Sequence, residues 1–123
     1  MVSNQLLDKS KLLTDEYAVK ILMATVRAPR SAQQISDQFG IPIAACYRRI
    51  RELEMCELIV CTERKLSRQG KRVSFYVSRI KTAALEYENG KLKVRFTMKD
   101  GPIDQDWQDV DLVDKDKKED DGL

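Results

Sequence analysis

Residues 31–54, SAQQISDQFGIPIAACYRRIRELE, constrain the fold more than any other stretch, because they punctuate two helices and a tight turn within twenty-four positions. Ser31 and Gln34 form an S-x-x-Q capping box at the start of the first helix. Pro29 keeps the chain before it extended. Ile35 and Phe39, four apart, share a face. Gly40 stands where a helix end favours a left-handed residue, and Pro42 suits the first turn of the next helix. That second helix, about 42–56, sorts its residues by face: Ile43, Cys46, Ile50 and Leu53 on one side, Ala44, Tyr47, Arg48 and Arg51 on the other.

A β-ribbon is expected next. Leu58–Thr62 is rich in strand formers, Ser67-Arg68-Gln69-Gly70 reads as a turn, and Val73, Phe75 and Val77 alternate onto one face. Arg64, Lys65, Arg68, Lys71 and Arg72 crowd its tip, more cations than a solvated tip needs. Before the two helices, residues 15–26 predict another helix with Thr14 as N-cap. Tyr17, Ile21, Leu22, Thr25 and Val26 would back the later two. The expected fold is α+β, a winged helix-turn-helix with a three-helix core, a β-wing and an extra C-terminal β-hairpin. Residues 1–13 form an arm or short helix, 14–81 the DNA-binding domain, 82–98 the hairpin, and 99–123 a tail.

In that order of elements the sequence resembles the archaeal winged-helix regulators of the ArsR-like group. The resemblance is carried by AQQISDQFGIPIAACYRRIRELE and by the later GKRVSFYVS, and spans roughly residues 10–98. It implies a winged-helix fold and DNA binding. It implies no metal sensing, because the Cys-x-Cys motif of the arsenic-sensing members is absent. Glu57 also departs from the pattern, standing where such helices commonly end in glycine.

The functional expectation is sequence-specific reading of double-stranded DNA, with transcription regulated from the cytoplasm. The second helix lies in the major groove, with Ala44, Ala45, Tyr47, Arg48, Arg49 and Arg51 as its candidate contacts. The wing cations, with Ser31 and Gln33 at the helix cap, are the candidate phosphate contacts. The plainer alternative is an amphipathic helix with a solvated basic face. A third reading is a protein-interaction module on the same fold.

The second hairpin carries its own register. Asn89-Gly90 favours a type I′ turn. Counting outward pairs Glu88 with Lys91, Tyr87 with Leu92, Glu86 with Lys93, Leu85 with Val94, Ala84 with Arg95 and Ala83 with Phe96. One face is then Leu85, Tyr87, Leu92, Val94 and Phe96, which must be buried against the domain or, as the favoured expectation, in a homodimer contact.

Charge divides along the chain. Residues 1–98 hold 18 Lys and Arg against 10 Asp and Glu, and residues 99–123 hold 4 against 10. A basic body suits a polyanion partner. The acidic tail is expected to be largely disordered, with Ile103, Trp107 and Val110 at helical spacing. It would solubilise the chain, compete with DNA for the basic face, or recruit a protein partner.

Catalysis is not expected. There is no histidine to activate a Ser or Cys nucleophile, and the glycines are scattered singly. No cofactor and no metal is expected. Cys46, Cys56 and Cys61 match no common ligand spacing and are taken as buried free thiols. Cys56 and Cys61, flanking the helix-to-ribbon turn, are the candidate pair for a thiol-based redox or soft-metal sensor. No run approaches a membrane span.

Overall fold

The computed structural model describes the backbone of residues 2–99 and 108–110, and the side chains of residues 8–99. The architecture is α+β, with four helices and two small antiparallel sheets. The helices are α1 (Val2–Leu13), α2 (Glu16–Ala24), α3 (Ala32–Phe39) and α4 (Ile43–Met55). One sheet has the order β1-β3-β2, from Arg30–Ser31, Arg72–Ser78 and Ile59–Leu66. The other has the order β4-β5-β6, from Ile80–Glu88, Lys91–Met98 and Gln108–Val110. No helix among the described residues is long and apolar enough to cross a membrane.

The helix ends follow local chemistry. At α3, the Ser31 hydroxyl accepts from the Gln34 N–H (3.2 Å), and the Ser31 N–H donates to Gln34 Oε1 (2.9 Å). Gly40 closes α3 at φ 68°. Pro42 stands one position earlier than expected: it is the N-cap of α4, and its carbonyl accepts from the Cys46 N–H (2.9 Å). The N-cap of α2 is Asp15, not Thr14. Asp15 Oδ2 accepts from the Ala18 N–H, while the Thr14 hydroxyl bonds back to the Lys11 carbonyl. A carboxylate one residue later outcompetes the hydroxyl at the positive end of the helix.

The end of α4 is a Schellman turn: the Leu58 N–H reaches the Leu53 carbonyl and the Glu57 N–H the Glu54 carbonyl, both at 2.9 Å. Leu53 and Leu58, both fully buried, supply its apolar contact. Glu57 occupies the left-handed position, at φ 61°. That conformation costs a non-glycine residue about 1–2 kcal/mol, against about 0.4–1 kcal/mol of extra unfolded-chain freedom for glycine. Its exposed carboxylate lies 3.4 Å from Arg79, a contact of little worth. Glu57→Gly is therefore expected to stabilise the protein by about 0.5–1 kcal/mol, measured as a higher urea midpoint. An unchanged or lower midpoint would contradict this.

One core joins the helices to both sheets: Ile21, Ile35, Cys46, Ile50, Leu53, Leu58 and Ile59 with Val94 and Phe96. Two residues expected there are not. Ile43 is 37% exposed, at the first turn of α4 before the helix meets its neighbours, and Val26 is 42% exposed, past the end of α2. Leu12 of α1 is buried, and Lys9 lies 5.5 Å from the Phe96 ring centre, so α1 covers the β5 side of the second sheet. Leu6 and Leu7 have side chains outside the described set.

The β4–β5 hairpin has the expected register at every pair from Ala83↔Phe96 to Glu88↔Lys91. Asn89 and Gly90 take φ 52° and 78°, as a type I′ turn requires. Its apolar face is covered only in part. Val94 and Phe96 are buried, whereas Leu85 and Tyr87 on β4 are exposed. Gln108–Val110 form a strand on β5, so Val110 is extended and not part of a helical stripe. Ile103, Trp107 and the remainder of the acidic tail lie outside the described residues.

Candidate nucleic-acid interface

The face of α4 opposite the core is set by the burial of Cys46, Ile50 and Leu53. It presents Ala44, Tyr47, Arg48 and Arg51, all exposed, with Tyr47 at 52%. Arg48 and Arg51 make no ion pair among the described residues. Gln33, on the first turn of α3, is also exposed, with its amide donating to Asp37 at 3.0 Å.

Three residues expected on this face are elsewhere. Arg49 is turned toward α2: Nε donates to Asp15 Oδ2 (2.9 Å), Nη2 to Asp15 Oδ1 (3.2 Å) and Nη1 to Glu52 Oε1 (3.1 Å). A guanidinium held by two carboxylates ties α4 to the start of α2 and is not offered to a phosphate. Ala45 is half-buried against the core. Ser31 is buried, and its hydroxyl is spent on the capping box. At α4, 100° per residue turns three consecutive positions onto three faces, so 48 and 51 share a side that 49 leaves.

The Arg49 guanidinium, with the Ala18 N–H, holds the Asp15 carboxyl below its ordinary pKa despite partial burial. A lowered folded-state value means that this stability is present above the unfolded carboxylate range, about 4, and is lost as pH falls through the folded value. Asp15→Asn keeps a capping oxygen but loses the charge. It is expected to cost roughly 1 kcal/mol at neutral pH, discounted for partial exposure. The wild-type advantage in thermal unfolding should shrink below about pH 4 and vanish in stronger acid. An advantage that persisted at low pH would exclude the ion pair as its source.

The ribbon is built by β2 and β3. Its tip is a three-residue loop in which the Gly70 N–H donates to the Ser67 carbonyl (2.9 Å) and Gly70 takes φ 80°. Register sorts the side chains, with a bulge between Cys61 and Glu63. Ile59, Cys61, Arg64 and Leu66 share a face with Arg72, Ser74, Tyr76 and Ser78; Val60, Glu63 and Lys65 share the other with Val73, Phe75 and Val77. The core packs on the first of these, through Ile59, Tyr76 and Ser78. The Val73, Phe75 and Val77 stripe is therefore the outer face.

The ribbon cations divide accordingly. Arg64 and Arg72 extend the core-side face, beyond Tyr76, whose hydroxyl feels the charges of both Glu54 on α4 and Arg64. Arg68 and Lys71 are exposed at the tip. Lys65 points to the outer face, 3.6 Å from Glu63 and 5.5 Å from the Phe75 ring centre. Arg64, Arg68, Lys71 and Arg72 make no ion pair among the described residues.

The candidate thiol pair gains little from the geometry. All three cysteines are free thiols. Cys46 is buried and donates to the Ala32 carbonyl at 3.5 Å. Burial pushes the Cys56 thiol up, and the Asp8 and Glu52 charges, opposed by Lys9, leave it raised, opposite to what a reactive thiolate needs. Cys61 is half-buried and directed at the Glu63 carbonyl (3.6 Å). No group of metal-holding side chains occurs among the described residues.

The third strand of the first sheet, β1, carried only one sequence signal, the extended backbone beside Pro29. It pairs Arg30 with Tyr76 and Ser31 with Phe75, fixing the ribbon to the start of α3. In comparison with known proteins, the chain matches no family model and no curated sequence.

Proposed function

We propose that this chain is a winged helix-turn-helix protein, similar in build to the ArsR-like regulators, that reads double-stranded DNA and regulates transcription. α4 enters the major groove with Tyr47, Arg48 and Arg51, and the β2–β3 wing holds flanking phosphates with Arg64, Arg68, Lys71 and Arg72. The observation that carries this reading is the distribution of paired and unpaired cations. Arg49, which points into the domain, is clamped by two carboxylates. Arg48 and Arg51 of α4 and Arg64, Arg68, Lys71 and Arg72 of the ribbon, all exposed, make no ion pair among the described residues, and Lys65 alone of the ribbon-tip cations has one, to Glu63. Exposed unpaired cations on a helix and an adjacent ribbon suit a polyanion whose phosphates flank a groove.

A second reading, a protein-interaction module, is favoured by the ribbon's outer face, where Val60 is 42% exposed beside Val77. Salt separates the two. Duplex affinity falls steeply as salt rises, because bound phosphates shed counterions, while an apolar contact is nearly indifferent. Fluorescence anisotropy on duplexes selected from a random pool, repeated across salt concentrations, is the test. Neutralising Arg68, Lys71 or Arg72 singly is expected to weaken all duplexes alike and to lower the salt slope by about 1. Failure to bind any selected duplex at low salt would overturn the proposal.

A further inference from the structure

Among the described residues the second sheet ends in a strand, β4, that is open on one side. Among the described residues β4 pairs only with β5, and residues 81–88 are all exposed. The type I′ turn fixes which backbone groups are free. Glu88 and Lys91 close the turn as a pair that exchanges both hydrogen bonds, so Glu86 and Ala84 also bond to β5. The N–H and C=O groups of Ala83, Leu85 and Tyr87 therefore point away from β5, along the open edge. Their side chains lie on the sheet face that holds the buried Val94 and Phe96, where α1 covers the β5 side and leaves Leu85 and Tyr87 exposed. An edge with free donors and an apolar border invites another strand.

We infer that the open edge of β4 pairs antiparallel with β4 of a second copy of this chain, about a two-fold axis at Ala84, making one six-stranded sheet in the order β6-β5-β4-β4-β5-β6. The register follows from the residues. Outward-bonding positions must meet outward-bonding positions, so only odd residues can pair with odd ones. Centring on Ala84 overlaps the whole strand, Ile80–Glu88, with its copy. Ala83 then faces the second copy's Leu85, Thr82 faces its Glu86, and two alanines meet on the axis. No like charges stand opposite each other. Centring on Leu85 would shorten the overlap to Thr82–Glu88, and centring on Glu86 would also set Glu86 against Glu86, which is unfavourable. The two Leu85 side chains adjoin across the axis and prolong the apolar surface between the two copies of α1. A two-fold contact uses the same patch twice and closes on itself, which keeps the edge from recruiting strands without limit.

This inference is independent of DNA reading, and its test contains no nucleic acid. Sedimentation equilibrium of the full chain is expected to give twice the chain mass. Thr82 is exposed, so substitutions there leave the fold intact, as far-ultraviolet circular dichroism will check. Thr82→Lys sets a cation opposite Glu86 twice per dimer and is expected to tighten dimerisation by about two- to thirtyfold, with the gain removed by high salt. Thr82→Glu is expected to loosen it by a similar factor. A wild-type monomer at all concentrations, a dimer indifferent to both substitutions, or a mass that grows past two chains would overturn the inference.

Discussion

Changing Arg48 and Arg51 together to alanine is expected to lower affinity for a selected duplex by about 2–6 kcal/mol and to erase preference at the positions they read. Each bidentate arginine–base contact is worth about 1–3 kcal/mol of discrimination, and two side chains three apart on one helix face act on neighbouring bases. The two losses are not strictly additive, since both depend on the same seating of α4. Both side chains are exposed and without an ion pair among the described residues, so their removal leaves stability nearly unchanged. Arg49→Ala is the matched control. It breaks the bridge to Asp15 and Glu52, so it should lower the melting temperature while leaving base preference intact. Competition anisotropy with selected and scrambled duplexes, beside thermal unfolding of each variant, makes the comparison. If the double variant kept both affinity and preference, α4 would not be the reading helix.

The largest expected effect on stability is at Leu53. Its side chain is fully buried, shares a helix face with Cys46 and Ile50, and closes the Schellman turn against Leu58. Leu53→Ala removes three buried carbons from a site bounded by a turn that cannot collapse inward. The expected cost is about 2–5 kcal/mol, a large share of the roughly 5–15 kcal/mol that holds a domain together. Met55, two residues on and 75% exposed, provides the contrast. Met55→Ala is expected to change stability by no more than about 0.5 kcal/mol. Urea unfolding of both variants is the measurement, and comparable midpoints would mean that α4 is not anchored through Leu53. Because Leu53 fixes the helix that carries Arg48 and Arg51, a mild loss of duplex affinity should accompany the instability at temperatures near the transition.

Features that rest on neighbouring residues are legible in the chain alone. The capping box at Ser31, the left-handed stop at Gly40, the turn Ser67–Gly70 with its glycine last and the full register of the 83–96 hairpin all follow from interactions within a few positions. Register was legible because a one-residue slip would turn every side chain of the hairpin over. The basic character of α4 and the ribbon tip is equally plain, since charge is carried by residue type.

Where those charges point depends on residues far apart in the chain. Arg48, Arg49 and Arg51 look alike in sequence, but Asp15, thirty-four residues away from Arg49, claims that one side chain. Asp15 caps α2 by local chemistry, but its carboxylate serves the distant guanidinium as well as the helix N-terminus. Lys65 turned to the outer face because a bulge between Cys61 and Glu63 resets the alternation. β1 and β6 are two and three residues long and exist only because β3 and β5 offer them an edge. Such short strands have no periodicity to read, since their stability lies in the ladder they join and not in their own residues. The exposed half of the second hairpin was decided the same way: Leu85 and Val94 sit opposite each other, but α1 covers only the β5 side.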